Sequence, residues 1–341
     1  MFRQIKVHQA DADWQRILWR PNPGVSVQDY QLTTVTYGTA CAPFLALRVL
    51  AQLAKDEGGR FPLGARAIQR HTYVDDILAG ADDLENAFEL KRQVISIFRA
   101  GGFELSKWAS NLPQLQEEDS TESHRFHEKT GVSTLGVIWC PRDDTFSLRV
   151  AGPMSQSDKI SKRSILSEVA SFFDPLGWTA PVLIYAKILL QDLWLLGIDW
   201  DQDLPEAIQT TWHSFRTSLS QLDALSIPRW TRYLGDRTEK VELHGFCDAS
   251  QRAYAAAVYL RVMHKGEIST MLLVAKTKVA PVKALTIPRL ELCSAVLLSK
   301  LMTQVRDAAG EQQAPQLSDL VLGVSVRSDK KGYGQLVVES N

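Results

Sequence analysis

Tyr73-Val74-Asp75-Asp76 is the stretch on which the reading of this chain turns, because two neighbouring carboxylates stand there between apolar runs. The run before it, Ala67-Ile68-Gln69-Arg70-His71-Thr72-Tyr73-Val74, and the run after it, Ile77-Leu78-Ala79-Gly80, both read as short strands bounded by turn residues. The acids therefore fall at the bend of a tight hairpin. Strand side chains alternate between faces, so one acid can bridge a metal pair while the other touches it from the side, and Asp75 is expected to be the stronger ligand. Phosphoryl transfer with two divalent ions needs oxygen ligands that hold the metals about 3.5–4 Å apart. Carboxylates are the hard ligands that magnesium takes. An isolated Asp-Asp pair is more often a solvated turn, so the surrounding chain has to decide.

Working outward, Gln15 to Arg20 reads as a strand that stops at Pro21-Asn22-Pro23-Gly24, and a second strand follows near Tyr30 to Val35. Gly38 to Leu53 reads as a helix because Phe44, Leu47, Val49, Leu50 and Leu53 fall near helical spacing. After the acidic turn, Asp82-Asp83 can cap a helix whose stripe is Leu84, Phe88, Val94, Ile95 and Phe98 and which ends at Gly101-Gly102. Polar, Glu-containing residues from Leu115 to Thr130 read as an exposed loop. Leu135 to Trp139 and Thr145 to Leu148 then flank Pro141-Arg142-Asp143-Asp144 as another hairpin. From Lys159 the pattern is helical: Ile165, Val169 and Phe173 recur every four residues until Asp174-Pro175-Leu176-Gly177 breaks the run, and Pro205 marks a further helix start. Trp194, Trp200 and Trp212 are expected to pack these helices together.

A second carboxylate set lies further on. Val241-Glu242-Leu243-His244-Gly245-Phe246-Cys247-Asp248-Ala249-Ser250 reads as a strand ending in an acid, with further strands at Ala255 to Leu260 and Thr270 to Ala275. A helix follows, with Pro288 in its first turn and Leu290, Ser294, Leu297, Leu298 and Leu301 as its buried stripe, which leaves Glu291 at the stripe's edge. A strand Asp facing a helix Glu is a metal-site geometry; the plainer alternative is a turn-capping Asp248 and a Glu291 that favours the positive end of the helix dipole.

Composition bounds the rest. A chain of 341 residues with 45% hydrophobic content can bury a core and suggests two or three globular units. Lys+Arg 38 against Asp+Glu 39 leaves a net charge of −1, so any nucleic-acid surface is local; Arg60, Arg66 and Arg70 crowd the approach to the Asp75 turn. Cys41, Cys140, Cys247 and Cys293 form no CxxC pair and fit reduced intracellular thiols. His124 and His127 lack the partner pair a structural zinc needs. The N-terminus has no apolar signal core, and the run from Ala180 to Ile198 is interrupted by Lys187, Gln191 and Asp192, which argues for a buried helix and against a membrane span.

With these segments in order, the chain resembles the pol polyprotein of BEL/Pao-type long-terminal-repeat retrotransposons over about its first 300 residues. Thr34-Val35-Thr36-Tyr37-Gly38-Thr39-Ala40-Cys41-Ala42-Pro43-Phe44 and the Tyr-Val-Asp-Asp turn resemble the palm of that family's reverse transcriptase. The resemblance implies magnesium at Asp75 and Asp76, a nucleotide-facing Lys107 in Phe103-Glu104-Leu105-Ser106-Lys107-Trp108, and nucleic-acid contacts from Arg70 and Tyr73. It also implies that the 135–148 hairpin touches the primer strand. The Phe-Asp-Pro-Leu-Gly segment belongs to a region labelled a Pao-type peptidase in the family, yet the chain carries neither Asp-Thr-Gly nor Asp-Ser-Gly, and Asp174 reads as a helix stop. Asp-Ala-Ser at Asp248 and Pro-Arg-Leu-Glu at Glu291 resemble the metal ligands of the family's ribonuclease H, with Asp329 as a weaker third.

The family's palm uses a further aspartate just upstream of what is Met1 here, and the resemblance fades after Ala314. The expectation is therefore an α+β chain: a truncated reverse-transcriptase palm at 1–118, a loop and primer-contacting hairpin at 119–150, a helical connection at 151–235 and a partial ribonuclease-H-like α/β domain at 236–341. The implied function is that of a pol fragment of RNA-directed DNA polymerase and ribonuclease H lineage, with an RNA template, a DNA primer and an RNA–DNA hybrid as partners, magnesium as cofactor and no membrane. The alternative is a non-catalytic element remnant or a host-retained protein that binds nucleic acid or protein.

Overall fold

The computed structural model describes residues 1–73, 76–105, 108–115, 132–134, 137–148, 160–233, 238–309, 320–327 and 333–338. The chain divides into two compact units, Met1–Phe126 and His127–Asn341, and its mixture of helices and sheets is α+β.

In the first unit, short 3-10 turns lead into β1 (Arg16–Trp19) and β2 (Gln28–Gln31), an antiparallel ribbon whose register pairs Arg16 with Gln31 and Trp19 with Gln28. Helix α1 (Ala42–Glu57) follows, then α2 (Pro62–His71), the minimal hairpin β3 (Thr72–Tyr73) and β4 (Asp76–Ile77), and α3 (Leu84–Ala100). Helix α1 begins at Ala42, four residues later than its apolar spacing suggested, and buries Ala42, Ala46, Leu50, Leu53 and Ala54. Phe44 and Leu47, expected on the inner stripe, are exposed. Small alanines took the inner face because they let the neighbouring helices approach closely. Helix α3 starts where its cap was read: the Asp83 carboxylate accepts the Asn86 N–H at 2.8 Å, and the helix ends against Gly101 with Gly102 at a φ of +75°.

The segment read as a strand from Ala67 is a correction. Residues 62–71 are helical, with Pro62 in the first turn and Gly64, Ala65, Ala67 and Ile68 buried. A Cβ at Gly64 would stand 2.8 Å from the Gln93 carbonyl oxygen and 2.9 Å from Ile97, so glycine there sets the close α2–α3 crossing. Among the described residues the extended run before the turn is Thr72–Tyr73, where a β-branched residue follows the helix C-terminus.

The second unit opens with β5 (Val132–Thr134), β6 (Val137–Cys140) and β7 (Thr145–Ser147), and continues through α4 (Lys162–Ser171), α5 (Ala180–Leu195), α6 (Glu206–Leu219) and β8 (Ile227–Pro228), which completes the sheet β5-β6-β7-β8. At the β6–β7 turn, Asp144 takes a φ of 50° and is held by two bonds from Arg229, at 2.6 and 2.9 Å, and one from Trp139 Nε1 at 3.1 Å. Helices α4 to α6 share a core of Ile165, Val169, Leu190, Leu193 and Trp212. Of the three tryptophans expected to pack the helices, only Trp212 is buried; Trp194 and Trp200 meet edge to face at the surface and flank the Lys162 ammonium.

The largest sheet contains β9 (Lys240–Ala249), β10 (Ala253–His264), β11 (Glu267–Val279), β12 (Leu320–Arg327) and β13 (Tyr333–Val338), with α7 (Ile287–Ala309) between β11 and β12. Strand order is β11-β10-β9-β12-β13, antiparallel except that β12 runs parallel to β9. A parallel neighbour needs a crossover, and α7 supplies it. Val241, Leu243 and Cys247 on β9 and Ala256, Val258, Leu260 and Val262 on β10 form the face that packs on Leu297, Leu298, Leu301 and Met302 of α7. Gly245 lies beneath that helix, where a Cβ would come within 2.8 Å of Leu298.

Helix α5 packs against β11, and the Asp174-Pro175-Leu176-Gly177 turn makes that seam. The Ala275 N–H donates to the Leu176 carbonyl at 2.8 Å, while a Cβ at Gly177, already at a φ of +74°, would lie 1.9 Å from the Ala275 oxygen. Arg252 binds Asp192 with bonds of 2.6 and 2.8 Å, and the Gln191 amide donates to the Ala280 carbonyl at 2.7 Å.

Candidate functional site

The acidic hairpin of the first unit is built as a short ladder in which Thr72 faces Ile77 and Tyr73 faces Asp76. The Leu78 N–H extends it by donating to the His71 carbonyl at 2.8 Å. Asp76 is exposed, as is Tyr73. Val74, Asp75 and Lys107 lie outside the described residues. The cationic surroundings are visible at His71, whose pKa is pushed down by partial burial and then by the guanidinium groups of Arg66 and Arg70. Arg60 is engaged elsewhere, paired with Glu57 at 2.8 Å and lying over the Phe61 ring.

In the second unit the strand-and-helix pair is assembled by the packing of α7 on β9. Asp248 is the penultimate residue of β9 and is exposed; Glu291 is half-buried in the first turns of α7. Cys247, next to Asp248 in the strand, is buried. Burial pushes its thiol pKa up, a hydrogen bond with Ser294 pulls it down, and the charges of Asp248 and Glu291 push it up again. The charges of both acids are thus felt at one buried sulfur. The Ser294 hydroxyl in turn donates to the Glu291 carbonyl at 2.7 Å, which ties the thiol's partner to the helix turn that carries the acid.

The donor set suits magnesium. This ion keeps much of its water and is commonly bound through one or two carboxylates together with substrate phosphates; the strand carries an exposed carboxylate at Asp248 and the helix a half-buried one at Glu291. Among the described residues no group of three or more His, Cys, Asp or Glu side chains gathers to hold a metal ion. Asp329 lies outside the described residues.

The pleat gives Asp248 a second set of neighbours. Glu242, His244, Phe246 and Asp248 alternate with the residues packed on α7, and they pair with Arg261, Tyr259, Ala257 and Ala255 of β10. On this side a pocket of about 340 Å³ opens, floored by Ala255, Ala257 and Ala275 and walled by Phe246 and, from α5, Pro181. Asp248 and Thr277 also line it. The Thr277 hydroxyl is buried with no hydrogen-bond partner among the described residues.

Asp174 is occupied structurally: one carboxylate oxygen accepts from the Trp178 N–H at 2.9 Å, and the other from the Thr179 N–H and hydroxyl at 2.7 and 2.6 Å. It caps the approach to α5.

Sequence reasoning missed Cys247, Phe246 and Thr277 as neighbours of the acids. Strand alternation alone places Phe246 on the Asp248 side, so that signal was present. The wall from α5 comes from a helix about 60 residues earlier, which no local pattern announces.

Residues 161–315 match the family model described as the Pao retrotransposon-like RNaseH-like domain. The matched stretch holds α4 to α7 and β8 to β11, including Asp248 and Glu291. No curated protein matches the chain. Among solved structures the chain is similar to a foamy viral protease-reverse transcriptase in complex with RNA/DNA hybrid, at 13% identity and a TM-score of 0.48, over 97% of this chain and 38% of that one. A second, the foamy viral protease-reverse transcriptase dRH in complex with ds DNA, has 13% identity and a TM-score of 0.48 over 96% of this chain and 48% of that one. A third, the same kind of viral protein in complex with dsDNA, has 14% identity and a TM-score of 0.28 over 95% and 57%. The chain thus spans 38% to 57% of these viral chains.

Proposed function

We propose, from a retrotransposon RNaseH-like domain at residues 161–315, that this chain is a pol-derived polypeptide of the RNA-directed DNA polymerase and ribonuclease H lineage. In this reading the domain cleaves the RNA strand of an RNA–DNA hybrid. What supports it most is a family match over a stretch that carries one acid at the end of a strand, Asp248, and another in the first turns of the crossover helix, Glu291. Asp248 and Glu291 would hold magnesium, with Asp329 as a third ligand. Bound there, the metal supplies charge neutralisation to the transferring phosphoryl group and an acidified water.

The chain's own residues provide the positioning. Leu290 is buried next to Glu291 in the chain, which fixes that turn of α7 and leaves the carboxylate at the edge of the buried stripe. The Asp248 carboxylate is oriented by the Ala249 N–H, which donates to Oδ1 at 2.8 Å. Pre-set oxygen positions cost no reorganisation when charge develops on phosphate.

For the first unit the same reading makes the hairpin a palm turn, with Asp75 and Asp76 as metal ligands and Arg70, Tyr73 and Lys107 facing template, primer or nucleotide. The exposed Asp76 and Tyr73, and the guanidinium field felt by His71, support it. The helical stretch takes the place of the Pao-type peptidase region, with Asp174 in a structural role.

The test is cleavage of a labelled RNA–DNA hybrid in magnesium. Cleavage is expected in the full chain and is expected to fall by at least 100-fold in Asp248→Asn and Glu291→Gln, the range seen when a charge-stabilising group is removed. Hybrid binding without cleavage would instead favour a non-catalytic binding protein, and cleavage that survives both substitutions would remove these residues from the site.

A further inference from the structure

We infer that the segment running from the end of β11 into α7 is the surface on which the second unit grips the phosphate backbone of an RNA–DNA hybrid, through Lys276, Lys278, Lys283 and Arg289. The inference deepens the proposed function and rests on its choice of substrate. In a chain whose cations and acids nearly balance, 38 against 39, the run from Ile268 to Leu290 holds these four cations and no Asp or Glu. A charge run is usually a solvated face, so the surroundings of these side chains decide. All four residues are exposed, and none forms an ion pair among the described residues. By contrast Lys240 and Arg261 are engaged by Glu242, and Arg252 by Asp192.

Strand and helix geometry group the cations. On β11, the edge strand of the sheet, Lys276 pairs with Ala256 and Lys278 with Tyr254. Ala256 is buried in the core that α7 covers, and Tyr254 packs against it. The two lysines therefore leave the edge on the side of α7, roughly 6.5 Å apart along the strand. Lys283 follows in the connection, and Arg289 stands in the first turn of α7, two residues before Glu291. Residues two apart on a helix do not face each other, so Arg289 is left to an outside anion and does not neutralise that acid.

The composition of the run selects the anion. It contains no Asn, Gln or aromatic ring, so it can hold phosphates but has little with which to read base edges. Between Lys276 and Arg289 the exposed large apolar side chain is Val282, too little to enter a lipid surface. A row of unpaired cations leading to the helix turn that carries Glu291 fits a regular polyanion, whose counterions are released as its phosphates are neutralised.

The experiment is fluorescence anisotropy of an end-labelled RNA–DNA hybrid with the full chain in EDTA, over a range of KCl concentrations. The slope of log affinity against log salt is expected to shrink by about 2 when Lys276→Gln and Lys278→Gln are combined, and by about 1 in Arg289→Gln. Lys265→Gln, in the β10–β11 turn at the far end of the strand, is expected to leave it unchanged. Two hybrids of unrelated sequence are expected to bind alike. Absence of hybrid binding, a slope that the paired lysine substitutions leave unchanged, an equal loss in Lys265→Gln, or retention on phosphatidylserine vesicles in place of the hybrid would overturn the assignment. Binding of this kind without cleavage in magnesium keeps the surface and removes the nuclease reading, so the two fail separately.

Discussion

Glu242 is 7% exposed on β9, and its carboxylate meets Lys240 at 2.8 Å, His244 at 3.2 Å and Arg261 from the next strand. Hydrogen bonding from Lys240 first, then from His244 and Arg261, overcomes the effect of burial and lowers its pKa from 4.5 to about 2. Because the folded value lies below the unfolded one, the stabilisation is complete above about pH 4.5 and is lost as pH falls to about 2. Glu242→Gln is therefore expected to cost on the order of 2–3 kcal/mol at pH 7 and nothing near pH 2, as read by urea unfolding at a series of pH values. A difference that persists unchanged to pH 2 would show that the charge is not what stabilises the strand. In the sequence Glu242 is one more polar residue in an alternating strand; its partner Arg261 is set by the antiparallel register, so the cluster was not legible there. The places of Asp248 near a strand end and Glu291 near a helix start were legible, because their neighbours in the chain mark those ends.

At the scale of elements, the entry to α2 shows how a helix can be specified from outside itself. The Gln93 side chain, buried in α3, accepts the N–H groups of Leu63 at 2.8 Å and Gly64 at 3.4 Å, and so satisfies the orphan donors of the α2 N-terminus. Gln93→Met keeps the volume and removes the acceptor; it is expected to destabilise the first unit by about 1–3 kcal/mol in denaturant titration, and a loss under a few tenths would mean that other groups cap the helix. This contact also explains why residues 67–71 read as a strand and fold as a helix: the run is too short for its period to decide, and the cap that decides it comes from α3, about 30 residues later. By contrast the two ends of α3 were legible, since Asp83 and Gly101-Gly102 lie in the sequence beside the turns they serve; of its expected stripe Val94 and Phe98 are buried, while Leu84 is exposed and Ile97 is buried instead. The β6–β7 hairpin was legible for the same reason, and its anchoring by Arg229 was not.

Across the whole second unit, the helices α4 to α6 and the five-stranded sheet are joined through a turn that leaves no room for a side chain. Gly177→Ala must relieve a 1.9 Å approach to the Ala275 oxygen at a φ that disfavours L residues, and is expected to cost about 2–3 kcal/mol. Amide exchange should then accelerate together in β9 to β11 and in α5, because the turn belongs to both; exchange that rises only in the helices would separate the two layers. The order of segments, the β6–β7 hairpin, the long strands and α7 were determined by the sequence alone, since periodicity, caps and turn residues act over a few positions. The tertiary structure decided the helical state of α2, the inward face of α1, the packing of α7 on β9, and the pocket walled by α5. Those depend on which distant surfaces exclude water from one another, and that is a property of the packed chain that no window of residues contains.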